Sequence, residues 1–238
     1  MLVTLQPATC LTNGQPMGLY TSRHPFARFE LVTRPFMAFV RFYCRLQVEG
    51  MDRLPANGPF ILAANHSSHA DTAVIFAALP RAMRKCVVAA AAREYFFDGG
   101  MRQSVSRMLF NVIPVARKAP FGEDPLRHVV RALREGYGVL LFPEGTRSQN
   151  GQLGPFRSGI GRLAAEFPEA PIIPVWLDGT ARVLPKKATV PIPRPVRVRV
   201  RFGAPVTHAP ADPANTASWR AVANDVREAL IQLRSVGQ

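Results

Sequence analysis

A histidine and an aspartate stand close together in the segment NHSSHAD, residues 65–71. The apolar run FILAA precedes the segment and the apolar run TAVIFAAL follows it, so we expect His66 where a strand ends and Asp71 where a helix begins. The turn between them would let the carboxylate bond one imidazole nitrogen and leave the other nitrogen to accept a proton. These residues are therefore a candidate general base and the group that orients it.

The same spacing is open to other interpretations. Asp71 could be only the N-cap of a helix, and His69 is a competing base that could pair with His66 on a metal. A third ligand is not visible nearby, and the three cysteines lack the paired spacing of a zinc site, so we predict no metal. Since the chain has no GxSxG nucleophile motif, the hydroxyl to be activated could belong to the substrate, which would give acyl transfer to an alcohol.

A second candidate segment is FPEGTRS, residues 142–148, which follows the apolar run GVLL and leads into a basic loop with several glycines. Proline and glycine favour a turn here, and the polar side chains offer hydrogen-bonding groups and positive charge together. A polyol phosphate would find suitable partners in this segment. The positions concerned are Glu144, Gly145, Thr146 and Arg147.

A third segment, VIPVAR at residues 112–117, places Arg117 and then Lys118 directly after an apolar stretch. Paired cations in that position suit a phosphate group. Each of these segments could also be a surface turn with solvated cations, so neither names a ligand on its own.

Short apolar runs alternate with helical stretches after residue 48, which is typical of an α/β domain. The predicted strands are Phe60 to Ala64, Lys85 to Ala91, Val139 to Phe142, Ile172 to Leu177 and Val196 to Phe202. The predicted helices are Asp71 to Leu79, Met101 to Leu109, Pro125 to Arg134, Ser158 to Phe167 and Ser218 to Leu233. The strand before Phe202 alternates Val and Arg, which predicts a wet, basic face on an edge strand; a lipid- or carrier-facing strip is the alternative. Its cations are Arg197, Arg199 and Arg201.

The chain carries 30 Lys and Arg against 16 Asp and Glu, a net charge of +14 that attracts polyanions. Aromatic and apolar residues mix with arginines over residues 25–46, which favours an amphipathic helix lying on an anionic membrane surface. A helix packed on the core is the other interpretation, and no stretch is long and uncharged enough to predict a spanning helix. A nucleic-acid binder is not favoured, because no recognition motif is apparent.

These patterns predict one α/β domain at residues 48–238, with a central mixed sheet flanked by helices. An N-terminal helical membrane-associating segment at 25–47 would precede it, and residues 1–24 would form a flexible leader.

The segments NHSSHAD, VIPVAR, FPEGTRS and IIPV, the last at residues 172–175, occur in the order of the four motifs of the glycerolipid acyltransferases. The chain resembles the bacterial 1-acylglycerol-3-phosphate acyltransferase branch of that family over roughly residues 48–205. The resemblance implies that His66, oriented by Asp71, takes a proton from the acceptor hydroxyl. The resulting alkoxide would attack an acyl thioester and form phosphatidic acid.

The resemblance also implies roles in acceptor binding. Arg117 and Arg147 would hold the acceptor phosphate, and Glu144, Gly145 and Thr146 would shape the acceptor pocket. The backbone N–H of Gly145 would be available to an oxyanion.

The resemblance further implies a membrane enzyme without a metal or organic cofactor. The acyl donor would be acyl-coenzyme A or acyl carrier protein, and the enzyme would sit peripherally or monotopically on the cytoplasmic face of the cell membrane. The same transfer onto a lysolipid with an amino-acid or glycan headgroup is the main alternative. A non-catalytic lipid- or acyl-carrier-binding protein is a second one.

Overall fold

The computed structural model describes the main chain of five segments, which are residues 26–92, 110–116, 123–148, 151–184 and 195–235; side chains are described from residue 33. The predicted leader at 1–24, the predicted helix Met101 to Leu109, Arg117 and Lys118 lie outside these residues.

Seven strands and six α-helices form the described part of the chain. The strands are β1 (Gln47–Glu49), β2 (Phe60–Ala64), β3 (Val87–Ala92), β4 (Val112–Val115), β5 (Gly138–Leu141), β6 (Ile172–Asp178) and β7 (Arg199–Phe202). The helices are α1 (Phe26–Tyr43), α2 (Asp71–Ala78), α3 (Arg127–Arg134), α4 (Gly159–Glu166), α5 (Thr180–Val183) and α6 (Thr216–Ser235).

The strands form one mixed sheet in the order β1-β7-β6-β2-β5-β3-β4. Strands β6, β2, β5, β3 and β4 run parallel, whereas β7 is antiparallel to β6 and parallel to β1. The predicted α/β fold with a mixed sheet is therefore confirmed. Because the carboxyl ends of parallel strands meet at one edge, the loops after β2, β5 and β4 emerge on the same side of the domain.

The central strands are buried on both faces of the sheet. Along β2, Phe60, Leu62 and Ala64 pack with α1 and α2, whereas Ile61 and Ala63 pack with α3, α4 and α6. This alternation follows from the two-residue period of a strand, and full burial explains why every residue of β2 is apolar. The result is a three-layer domain with β2 at its centre.

Helix α1 packs on α2 with one face and exposes the other. Met37 and Val40 are buried in the core, and the Arg41 guanidinium donates to the carbonyl of Ala77 at 2.7 Å, at the C-terminal end of α2. Phe39 and Phe42 point outwards and are 57% and 78% exposed. In the described residues, no helix is both long and apolar enough to cross a bilayer.

The predicted wet arginine strip on an edge strand is wrong. Strand β7 lies between β1 and β6, so it is not an edge. Arg197 is exposed and Arg199 half-buried, but Arg201 is buried and donates to the carbonyls of Leu233 and Arg234 at the end of α6. A cation suits the negative end of a helix, which accounts for an arginine beneath α6.

Candidate active site

The first candidate segment begins where β2 ends. The Asn65 side chain is buried and extends the β2–β6 ladder, with its amide donating to the Leu177 carbonyl at 3.0 Å and its oxygen accepting from the Leu177 N–H at 2.7 Å. An asparagine here replaces two backbone hydrogen bonds that the strand can no longer make. It thereby fixes the point at which His66 leaves the sheet.

His66 and Asp71 are in direct contact, with Nδ1 of the imidazole 2.8 Å from Oδ2 of the carboxylate. The same oxygen accepts the backbone N–H groups of Ser67 at 2.7 Å and Ser68 at 2.9 Å. Asp71 lies in the first turn of α2 and makes no N-cap bond to that helix. The carboxylate therefore orients the histidine loop.

The imidazole is positioned as an acceptor. With Nδ1–H donating to Asp71, Nε2 carries the free lone pair, and within the described residues it makes no hydrogen bond. The Phe142 ring stacks on the imidazole with centroids 4.1 Å apart and an angle of 24° between the planes. The His66 side chain is 20% exposed, while Asp71 is fully buried. The site thus combines an oriented, partly solvent-exposed imidazole with a carboxylate that solvent does not reach.

The serine hydroxyls next to His66 are held by other partners. Ser67 Oγ lies 2.9 Å from Oγ1 of buried Thr180, and Ser68 Oγ donates to the Leu184 carbonyl at 2.9 Å. Both contacts tie the histidine loop to α5, the short helix after β6. These hydroxyls therefore brace the loop, and neither is directed at the imidazole as a nucleophile.

The FPEGTRS segment, which follows β5, makes hydrogen bonds to both the N–H and the carbonyl of His66. The His66 N–H donates to Glu144 Oε1 at 3.0 Å, and the His66 carbonyl accepts the Ser148 N–H at 2.8 Å. The other oxygen of Glu144 accepts the Gly154 N–H at 2.9 Å. Glu144 is buried, so its carboxylate joins two loops to each other, a role that was not predicted from the sequence.

Gly145 has a main-chain conformation that requires glycine. Its φ is +67°, and a Cβ there would stand 2.4 Å from Nε of Arg157. Its N–H donates to the Phe142 carbonyl at 2.9 Å, so offering that group to an oxyanion would require this turn bond to open.

Two candidate acceptor-binding residues, Thr146 and Arg147, follow β5 at the same edge of the sheet as the histidine loop. Thr146 is exposed and Arg147 half-buried, and Arg147 directly precedes the residue that bonds the His66 carbonyl. β5 is the neighbour of β2, whereas β4 is three strands away, about 14 Å at the usual ~4.8 Å spacing. Arg117 would follow β4 but lies outside the described residues.

Three residues that serve the site were not predicted from the sequence as part of it. Phe142 covers the imidazole, Asn65 fixes the strand end and Thr180 braces the loop. Asn65 and Phe142 are within the predicted segments, but their partners are 112 and 76 positions away, so only the strand order brings them together.

Several curated proteins resemble the chain over much of its length. It is 28% identical over 180 residues to a chloroplastic 1-acyl-sn-glycerol-3-phosphate acyltransferase of Brassica napus, covering 70% of this chain and 50% of that protein. It is 28% identical over 191 residues to 1-acyl-sn-glycerol-3-phosphate acyltransferase alpha of Mus musculus, covering 79% and 63%. Tafazzin of Drosophila melanogaster is 26% identical over 184 residues, covering 75% and 48%. The chain spans about half the length of most of these relatives.

A solved structure shares the fold. The crystal structure of PlsC, the 1-acyl-sn-glycerophosphate acyltransferase from Thermotoga maritima, superposes with a TM-score of 0.64 at 22% identity, covering 92% of this chain and 85% of that one. The model of the acyltransferase family matches residues 45–178, which include the His66–Asp71 pair and the FPEGTRS segment. Since this match covers more than half of the chain, the chain belongs to the acyltransferase family.

Proposed function

We propose that the chain transfers a fatty acyl group from an acyl thioester to the free hydroxyl of 1-acyl-sn-glycerol-3-phosphate and so forms phosphatidic acid. The observation that carries the proposal is the His66–Asp71 pair, whose Nδ1–Oδ2 bond of 2.8 Å leaves Nε2 to accept a proton. The neighbouring serine hydroxyls are engaged elsewhere, which supports a substrate hydroxyl as the nucleophile. The printed names of relatives from Brassica napus and Mus musculus support the acceptor.

The mechanism follows from the geometry of the pair. Nε2 of His66 takes the proton of the acceptor hydroxyl as its oxygen attacks the thioester carbonyl, and Asp71 stabilises the imidazolium that forms. The tetrahedral intermediate collapses with cleavage of the carbon–sulfur bond. The thiolate leaves and takes the proton back from Nε2, which restores the neutral imidazole.

The test of the reaction is an assay of purified protein with labelled acyl-coenzyme A and labelled acyl carrier protein as donors. Acceptors are 1-acylglycerol-3-phosphate and lysolipids with amino-acid or glycan headgroups, and a reaction without acceptor measures hydrolysis. We expect phosphatidic acid as the main product with at least one donor. Faster transfer to another headgroup would reassign the acceptor, and binding of lysolipid without transfer to any acceptor would make the chain a non-catalytic binding protein.

The phosphate of the acceptor is proposed to bind Arg147, with Arg117 as a second cation. A guanidinium offers two parallel donors to phosphate oxygens. Replacement by lysine keeps the charge but loses this two-donor arrangement. Arg147→Lys should lower kcat/KM for 1-acylglycerol-3-phosphate about ten- to a hundredfold, the range for a charge-assisted hydrogen bond of roughly 1.5–3 kcal/mol. Arg134→Lys, on a surface arginine paired with Glu166, is the control. A larger effect on the donor's KM would move Arg147 to the donor site.

Helix α1 is proposed to dock on an anionic membrane. Its outer side carries the exposed rings of Phe39 and Phe42 and the exposed Arg34, and the exposed Arg45 follows the end of the helix, a mixture that suits the interface of a bilayer. Its inner side supplies Met37 and Val40 to the core, so deleting the helix would also damage the fold.

A double substitution, Phe39→Ser with Phe42→Ser, tests this docking without touching the core. Full burial of such a ring contributes roughly 1.5–3 kcal/mol. If half of each ring enters the interface, the two substitutions should weaken binding to anionic vesicles roughly ten- to a hundredfold. Phe39→Leu with Phe42→Leu should retain most of the binding, and flotation measures both. Equal flotation of the serine variant and the wild type would place the membrane contact elsewhere.

A further inference from the structure

An arginine of the C-terminal helix reaches the loop that supports the histidine. On α6, Arg227 donates through Nε to the Gly154 carbonyl at 3.1 Å and, over a longer 3.4 Å, through Nη2 to the Leu153 carbonyl. The Gly154 N–H in turn donates to Glu144, whose second oxygen accepts the His66 N–H. A continuous chain of hydrogen bonds therefore runs from α6 to the main chain of His66.

The central link of this chain is one peptide group. The Leu153 carbonyl and the Gly154 N–H belong to the same planar peptide, and in a trans peptide they point in opposite directions. The carbonyl faces the guanidinium and the N–H faces the carboxylate, so the peptide dipole is aligned between a cation and an anion. Hydrogen bonds in such a series polarise and strengthen one another, most of all where water is excluded.

The loop approaches Glu144 closely at Gly154. A Cβ on Gly154 would lie 3.3 Å from Glu144 Oε2, tighter than nine in ten real contacts of this kind. Glu144 is 7% exposed, whereas Arg227 has 32% of its side chain exposed. The cation at the outer end of this chain therefore lies on the surface of α6, where Nη1 of Arg227 also donates to Glu228 at 3.2 Å, and it reaches Glu144 only through a peptide.

We propose that Arg227 is a positioning residue for the general base, acting through the Leu153–Gly154 peptide and Glu144 to hold the His66 main chain. This inference rests on the proposed function of His66 for its kinetic part only. Loss of the guanidinium would loosen Glu144, and the imidazole would spend less time in the orientation that Asp71 selects. The substrates do not contact Arg227 in this mechanism, so the effect belongs in kcat.

The test is Arg227→Met, which keeps much of the aliphatic stem and removes every donor. Its matched control is Arg162→Met: Arg162 also makes two guanidinium hydrogen bonds, both to Asp124, and its side chain is 31% exposed. We expect Arg227→Met to lower kcat about tenfold with both KM values within about twofold, while Arg162→Met leaves kcat unchanged. Arg227→Lys, which keeps one donating nitrogen and the charge, should recover part of the rate.

Two further measurements separate positioning from general stability. Because the proposed chain passes through Glu144, the kcat of Arg227→Met with Glu144→Gln should be no lower than that of Glu144→Gln alone. In NMR spectra, the imidazole signals of His66 should shift in Arg227→Met and stay in place in Arg162→Met.

The NMR comparison needs no turnover, so it decides the proposal even if the wild type transfers no acyl group and the proposed function fails. Additive losses of kcat, or His66 signals that move equally in both variants, would overturn it. Arg227 would then be a residue that only anchors a surface loop.

Discussion

Two aspartates in this molecule accept short hydrogen bonds from nitrogen donors and serve different ends. Asp71 is fully buried, and one of its oxygens accepts the His66 imidazole and two backbone N–H groups. Asp124, before α3, has 33% of its side chain exposed and receives both guanidinium nitrogens of Arg162 at 2.7 Å. The distances are nearly the same, so the lengths of the contacts do not separate the proposed catalytic pair from the structural one.

The partner makes the difference. A guanidinium has donors only, so the Asp124–Arg162 pair leaves no nitrogen that could accept a proton. The pair joins the loop before α3 to α4. Arg162 lowers the pKa of Asp124, and Asp124 raises the pKa of Arg162, so both charges are held. An imidazole bonded at Nδ1 still has an acceptor at Nε2, so the Asp71 pair leaves one nitrogen available for a substrate.

Removing the imidazole should have the largest effect. His66→Ala deletes the proposed base, and kcat should fall by ~10²–10⁴-fold, the usual contribution of general-base catalysis. His69→Ala, at an exposed position in the same loop, is the control and should retain its rate. Single-turnover kinetics with saturating donor measures the effect. More than about a tenth of the wild-type rate in His66→Ala would show that this histidine is not the base.

Replacing Asp71 by asparagine removes only the charge and should lower kcat less than His66→Ala does. The oxygen Oδ1 is buried and makes no hydrogen bond within the described chain, so an asparagine can keep its oxygen at the Oδ2 position and retain all three bonds. The unpaired amide group that then lies at the Oδ1 position lowers the free energy of unfolding. The loss in Asp71→Asn then reports mainly the stabilisation of the imidazolium. We expect a kcat reduced at least tenfold but no further than in His66→Ala. A rate equal to the wild type would reduce Asp71 to a structural residue.

The positive φ of Gly145 lets the FPEGTRS segment turn, and its contribution to stability can be tested by substitution. In Gly145→Ala the new Cβ meets Arg157 and the positive φ becomes strained, at a cost of roughly 1–3 kcal/mol in the free energy of unfolding. Chemical denaturation measures this cost. Adding Arg157→Ala should relieve the steric contact and leave the strain of φ, so the double variant should recover only part of the stability. Full recovery would show that the φ requirement is unimportant.

Breaking the exposed Asp124–Arg162 pair should have the smallest effect, and its effect on stability should depend on pH. Since the folded-state pKa of Asp124 is lowered, its stabilisation is present above its unfolded pKa, about 3.9, and is lost as the pH falls through the lower folded value. Asp124→Asn should therefore be less stable than wild type at pH 5–7, by under about 1 kcal/mol, and the difference should vanish in stronger acid. Its kcat at neutral pH should be unchanged. Thermal melts across this pH range measure the difference.

Much of the fold could be predicted because burial imposes a pattern on the sequence. The predicted limits of β2 agree with the structure, and α6 was predicted to within two residues at each end. β1 and β4 were missed because they are short: β1 has three residues, two of them polar, and β4 has four. The place of β7 inside the sheet depends on its pairing with β1, which no local pattern reveals.

The site could be predicted as far as contacts within one loop reach. His66 and Asp71 are close in sequence, so their contact followed from a strand end and a helix start. The grip of Glu144 on His66 spans 78 positions, and the assignment of Glu144 to the acceptor pocket followed from the motif rather than from its neighbours. Such contacts depend on which strands are adjacent, and the adjacency of β2 and β5 is a property of the whole sheet.

The pairing of β1 with β7 also orders events in time. Gln47 pairs with Arg199, and closing a loop of that length costs about 4 kcal/mol of chain entropy. Residues 196 and 198 also bond the end of α1, through the carbonyls of Tyr43 and Cys44. On a ribosome, α1 and β1 emerge early and must wait for most of the chain before this edge of the sheet can form. During that interval the end of α1 lacks its two bonds to residues 196 and 198, and the arrival of β7 then fastens the helix to the edge of the sheet.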